Sequence, residues 1–277
     1  MAEITAQMVK ELRERSGLPM MDCKQALTET GGDSTKALEL LRKRGAAAAE
    51  KKAGRATSEG RIGSYVDRAR GVGALVEMLC ESAPVSNNPM FKELADGIAK
   101  AAALSGETDP EKLKSVPSAD DPGQTVADLI HAVVNVIREN MQIGRIIRVQ
   151  GRPAAYVHFN GKVGVIVGAE GGNADDALLN DVCMHIAAMS PQGVSREDVP
   201  ADLIAKEREI AAELVRQSGK PENMIDKIVS GKMNRWFAER VLIEQPFVKD
   251  DKRTVGDVLK AAGTRIVGFT RLQVGVA

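Results

Sequence analysis

Apolar residues recur with a helical period at the start of the chain, with a period of two in its middle, and with both towards the end. Ile4, Met8, Val9 and Leu12 share one helix face behind Thr5, an N-cap, and Ser16-Gly17 closes that helix. A second short helix carries Cys23, Ala26 and Leu27 and stops at Gly31-Gly32. Asp33 caps a third, with Ala37, Leu38, Leu40 and Leu41 inward and Arg42-Lys43-Arg44-Gly45 at its end, cations at the negative pole of the helix dipole. Residues 1–45 thus read as a three-helix module, and the Ala-rich, basic stretch 46–59 as a helical or extended tether.

The middle of the chain is written twice. Gly60-Arg61 with Tyr65-Val66 and Val72-Gly73 with Val76 return as Gly151-Arg152 with Tyr156-Val157 and Val163-Gly164 with Val167. Each copy, 60–77 and 151–168, reads as a β-hairpin, and a helical run follows each, around Leu94–Ala99 and Val182–Ala187. The expected units are a first repeat with a helical extension over 60–150 and a second repeat over 151–277. Into the second is inserted an antiparallel helical hairpin, about 198–240. Leu203, Glu207, Ile210 and Leu214 mark one of its helices, Ile225, Val229, Met233 and Trp236 the other, and Ser218-Gly219-Lys220-Pro221 its bend. These stripes are narrow, so a homodimer through the hairpin is a possible use of it. Arg265–Val274 alternates like a strand and is expected to complete the second repeat's sheet. The fold class is therefore α+β.

Composition narrows the functions. The 277 residues are 43% hydrophobic but only 3% aromatic, and 38 basic side chains balance 38 acidic ones, which does not suggest a nucleic-acid or anionic-membrane surface. No apolar run is long enough to span a bilayer and Met1-Ala2-Glu3 does not open a signal peptide, so a cytoplasmic location is expected. Cys23, Cys80 and Cys183 are isolated and read as buried free thiols; no metal or cofactor is expected. Gly71-Val72-Gly73 and Gly161–Gly164 lie inside hairpins and serve as turns and close-packing positions, not as a phosphate loop. No catalytic constellation is found. His185 reads as a core histidine and His158 as a hydrogen-bonding surface one. Met20-Met21 exceeds what a small helical core needs and, rimmed by Arg13 and Lys24, suits docking to another protein. The loop Cys80–Pro89, stiffened by two prolines, has no counterpart in the second copy and reads as a projection.

Val9–Gly17 with Met20–Leu27, His185–Pro191, Gly219–Ile225 and Glu244–Asp250 together resemble the elongation factor Ts family over nearly the whole chain. The resemblance implies a ubiquitin-associated-like N-terminal module, a duplicated α+β core and a helical-hairpin insertion. It further implies a guanine-nucleotide exchange factor, not an enzyme of covalent chemistry. Its partner would be the GTPase elongation factor Tu in its GDP form, whose magnesium and phosphate contacts it disturbs. By that similarity Arg13, Met20, Met21 and Lys24 dock on the GTPase domain, and His158, Phe247 and Val248 grip a distal domain. The nucleotide-site loop corresponds to Ser82-Ala83-Pro84-Val85, where the family usually carries Thr-Asp-Phe-Val. With neither the acid nor the ring, this loop is expected to act as a steric wedge. A ubiquitin-associated-type adaptor or RNA binder and a metabolic enzyme are the competing readings, and neither finds its basic aromatic face or polar constellation.

Overall fold

The computed structural model describes residues 4–172, 174–218 and 221–276. Met1–Glu3, Asn173, the Gly219-Lys220 step of the expected bend and Ala277 lie outside the described residues. Helix α1 (Ala6–Ser16) is capped by Thr5 and ends on Gly17 at φ 68°. Helix α2 (Met20–Glu29) ends before Gly31 and Gly32, both at positive φ. Helix α3 (Ser34–Glu50) starts at Asp33, whose carboxylate accepts from the N–H groups of Thr35 and Lys36. Val9, Leu12, Cys23, Leu27, Ala37 and Leu41 close the core of these three helices.

One expectation is corrected here. Gly45 does not end α3, which continues through Ala46–Ala49 to Glu50, so the first residues of the expected tether are helix. Glycine inside a helix costs about 1 kcal/mol, but the alanines after it are the best helix formers, and the glycine packs closely on the helix at Val126–Ile137. A Cβ at Gly45 would stand 3.4 Å from the carbonyl oxygen of His131.

Strands β1 (Glu59–Asp67) and β2 (Val72–Cys80) form the first hairpin, with Glu59 opposite Cys80. A short helix α4 (Ala83–Ser86) leads into α5 (Pro89–Ser105), capped by Asn88. Helix α6 (Pro110–Leu113) and helix α7 (Val126–Ile137) follow, the latter begun by a Thr125/Asp128 capping box. Strand β3 (Met141–Gln150), not anticipated from the sequence, completes a β1-β2-β3 antiparallel sheet. The second copy repeats the plan: β4 (Arg152–Val157), β5 (Val163–Glu170) and helix α8 (Asp176–Met189). Helices α9 (Ala201–Gln217) and α10 (Glu222–Arg240) form the hairpin insertion. The small ribbon β6 (Pro246–Phe247) and β7 (Asp250–Thr254), helix α11 (Val255–Ala261) and β8 (Arg265–Gln273) follow, and β8 pairs with β5 as expected.

The hairpin seam is shifted from the expected one. Ala211 and Val215 meet Val229, Met233, Trp236 and Phe237 in its interior, whereas Ile210 and Leu214 face solvent. None of the described helices is long and apolar enough to cross a membrane.

Alternation along the strands gives each sheet two apolar faces. Ala74, Val76, Met78 and Cys80 turn towards α5 and α7, and Val165, Val167 and Ala169 towards α8. Ile62, Leu75, Ile166 and Leu272 fill the space between the two sheets. The third strand of each copy carries an irregularity, at Val76/Met78 opposite β3 and at Gly168/Ala169 opposite β8. The extra residue reverses the alternation, which lets Ile266 face α8 while Leu272 faces the other sheet.

The sheets approach closely because glycines stand between them. A Cβ at Gly164 would fall 2.5 Å from Ile62 Cγ2, and one at Gly73 would fall 3.0 Å from Pro153. Gly164→Ala should therefore lower the unfolding free energy by about 1–3 kcal/mol, as overpacking does. Gly97→Ala, in the middle of α5 with nothing within 4 Å of the new methyl, should raise it by about 0.5–1 kcal/mol. Urea titration of the two variants beside the native chain checks both signs.

Candidate functional site

The expected contact residues occupy three places. On the N-terminal helices, Met20 and Met21 open α2 with 52% and 72% of their surface exposed, and Arg13 and Lys24 are exposed on either side in sequence. The core of that module is complete without the two methionines. Asp22, beside them, pairs with Arg138 at 2.8 Å, a residue held at φ 69° where α7 ends. That pair is largely exposed, so it contributes at most about 1 kcal/mol. It nevertheless orients the start of α2 against the core.

The second place is the Ser82–Val85 segment. It is a tied turn rather than a free projection. Glu139 accepts from Ser82 N at 3.0 Å and from Ser82 Oγ at 2.6 Å, while the backbone N–H of Asn140 donates to Glu81 at 2.6 Å. Inside the turn, Ser86 Oγ and the Asn87 amide nitrogen both donate to the carbonyl of Ala83. Asn140 also donates to the carbonyls of Ala53 and Arg55, which fixes the chain leaving α3. The three residues Arg138, Glu139 and Asn140 thus join the α2 patch, the α4 turn and the end of the tether. Ala83 and Pro84 are exposed at the tip. Val85, expected among the projecting residues, is corrected to an interior one: it is buried with Phe91 and Met141. The helical turn accounts for this, because each step along it rotates the side chain by about 100°, so Val85 and Ser86 come round to the interior side while Ala83 and Pro84 stay outside.

The third place is the second copy. His158 lies in the β4–β5 turn, one residue past the strand, and that turn is closed by Gly161 N–H to the His158 carbonyl at 2.7 Å. The Tyr156 hydroxyl and His158 Nδ1 share a hydrogen bond of 3.0 Å, so a tyrosine, not a carboxylate, orients the ring. Phe159, missed from the sequence, projects beside it with 89% of its surface exposed and its ring 4.5 Å from that of His158. A lone aromatic next to Asn-Gly in a turn was the available signal. Phe247, expected as a contact, is only 5% exposed in the free chain and packs within the α8 cluster together with Leu242 and Val255. Its neighbour Val248 presents the surface, 48% exposed.

His185 explains how Val248 is held. The Val248 N–H donates to Nδ1 at 3.3 Å, so Nε2 carries the proton and donates to Gln245 Oε1 at 2.9 Å. The Gln245 amide nitrogen in turn donates to the carbonyl of Glu239. Burial holds the His185 pKa below the ordinary 6.5, with the Gln245 bond opposing. Burial also pushes the Cys183 thiol up to about 12 and the Cys80 thiol up to about 11, the latter with help from Glu139. These thiols stay protonated near neutrality and are poor nucleophiles. Among the described residues no three His, Cys, Asp or Glu side chains group as metal ligands.

The observed arrangement is one of exposed side chains at three places, held by polar ties that are exposed at Asp22–Arg138, part-buried at Ser82–Glu139 and buried at His185–Gln245. A family model described as elongation factor TS matches residues 81–276. The elongation factor Ts of Azoarcus sp. is 44% identical over 277 residues, covering 99% of this chain and 92% of its own. That of Alkalilimnicola ehrlichii is 42% identical over 274 residues, with 98% and 92% covered. The chain belongs to the elongation factor Ts family. The elongation factor Ts of Aquifex aeolicus gives the same result: it is 42% identical, with 96% of each chain covered. Membership makes this a translation elongation factor of the nucleotide-exchange type.

The unfolded chain binds the His185 proton more readily than the folded one. Stability from this group is therefore full above the ordinary histidine pKa and is lost as pH falls through and below it. His185→Gln should cost about 1–3 kcal/mol near neutrality. Between about pH 7.5 and 5.5 its melting temperature should fall less than that of the native chain.

Proposed function

We propose that this elongation factor Ts family member binds elongation factor Tu in its GDP form and promotes GDP release by wedging the Ser82–Val85 turn into the nucleotide site while two other surfaces hold the GTPase. The observation that carries this reading is the tied α4 turn. Its tip is two small, exposed residues, Ala83 and Pro84, on a backbone fixed by the Glu139 carboxylate. A segment already ordered before binding loses less entropy when inserted into a partner.

Exchange of this kind is thermodynamic linkage. A factor that binds the nucleotide-free GTPase better than the GDP form weakens GDP by the same ratio. Single allosteric couplings of about 1–3 kcal/mol correspond to roughly 5–150-fold, so several surfaces acting together serve the purpose better than one. Met20 and Met21 with Arg13 and Lys24 supply one grip, and His158 with Phe159 and Val248 another. Phe247 supports the second grip from inside, and Val85 anchors the α4 turn in the first core.

The tip lacks a carboxylate, so the wedge acts on the magnesium and phosphate site by shape rather than by charge. Release of a fluorescent GDP from the cognate GTPase, followed with and without this protein, is the test; no acceleration would sink the reading. Pro84→Gly should slow the stimulated release several-fold while leaving docking intact. Phe159→Ala should weaken docking by about 1–3 kcal/mol, the range for a truncated aromatic anchor. Placing Asp and Phe at Ala83 and Pro84 should make stimulated release more sensitive to magnesium concentration, and a flat dependence would count against a tip that faces the ion.

A further inference from the structure

One buried charge has no part in the surfaces above. Arg61 in β1 is only 8% exposed. Its Nη1 donates to the carbonyl of Ser86, the last residue of α4, at 2.8 Å. The other side of the same guanidinium lies against Gly161, where a Cβ would stand 2.9 Å from Nη2 and 3.0 Å from Cζ. The next backbone group, Ile62 N–H, donates to the Gly161 carbonyl at 2.8 Å. Lys162 closes the contact by pairing with Glu59 and donating to the Gly60 carbonyl. Arg61 therefore touches the end of the α4 turn and the glycine of the His158–Gly161 turn at once.

This is an expensive way to fill space. The Arg61 Nε is buried without a hydrogen-bond partner, and an unpaired polar group in an interior is a net cost that a methionine of similar length would avoid. What methionine would lack is the charged donor at the buried Ser86 carbonyl, where the C-terminal end of a helical turn favours a cation. Lysine would keep the charge but not the planar group that rests on Gly161. Gly161 itself, at φ 71°, leaves the space that the guanidinium occupies.

We propose that Arg61 is a positioning residue that locks the α4 turn and the His158–Phe159 turn into one rigid unit, so that a grip on the partner through the second copy sets the depth of the wedge from the first. The inference rests on the exchange reading above for its consequence, but the lock is a property of the free protein.

The experiment accordingly has two arms. In the free protein, amide hydrogen exchange of Arg61→Met should accelerate together over 82–88 and over 158–163, with Arg61→Lys intermediate. Acceleration in one segment alone, or in neither, overturns the lock. In the second arm, fluorescent GDP release is measured at saturating exchange factor. Arg61→Met should bind the nucleotide-free GTPase within about threefold of the native chain and yet stimulate release at least tenfold less. Pro84→Gly and Phe159→Ala should be non-additive in the native background and additive with Arg61→Met. Unchanged stimulation, or a loss of stimulation that only tracks a loss of binding and of melting temperature, overturns the positioning role. If the native protein itself does not stimulate release, the exchange reading fails while the hydrogen-exchange arm still decides the lock.

Discussion

The close approach of the two sheets at Gly73 and Gly164 is the constraint on which the rest of the structure depends. These glycines are equivalent positions of the duplicated hairpin, and each stands where any larger residue would hold the other sheet away. Apolar burial between the sheets is non-directional and would tolerate sliding. The steric fit of Gly164 over Ile62 does not, because interiors pack at crystalline density. Fixing Ile62 there also fixes its N–H on the Gly161 carbonyl and places Arg61 beside the second hairpin's turn. The α4 turn and the His158–Phe159 turn are neighbours because two glycines let their sheets meet.

Electrostatic ties refine this frame and differ greatly in weight. Asp22–Arg138 is exposed on both sides and adds little energy, whereas Glu139 accepts two hydrogen bonds from Ser82 through a charged, partly shielded carboxylate, the stronger kind of interaction. The α4 turn is thus held firmly and the α2 patch is held chiefly by packing of α3 against α7. Both ties issue from Arg138–Asn140, a segment whose first residue adopts a left-handed conformation uncommon for an arginine.

Much of this was legible in the sequence. The duplication foretold the two hairpins, the glycines inside them were read as packing positions, and N-caps at Thr5 and Asp33 marked helix starts that the structure reproduces. Strand β3 escaped because its Gly144 and Arg145 interrupt the alternation at the irregularity opposite Val76–Met78, where period-two reasoning fails. Gly45 misled for a different reason: it has no positive φ, and the alanines after it carry α3 on to Glu50. Val85 and Phe247 adjoin exposed residues, and linear order cannot say which member of such a pair turns inward. Arg61 and Glu139 were invisible as ties, since their partners Ser86 and Ser82 are brought to them only by the fold.

Helix α3 has a further implication. Its Leu41 belongs to the core of the N-terminal helices while its Ala49 packs on the core of the first sheet, and α7 contributes Val134 to one and Val136 to the other. Two cores therefore share two walls. Joining residues 1–45 of one relative to the remainder of another would set half of one wall against a foreign counterpart, so the N-terminal helices pack as before only when α7, inside the first repeat, comes with them. The packing unit is larger than the three helices that look separable, and its seam runs through contacts rather than through a loop.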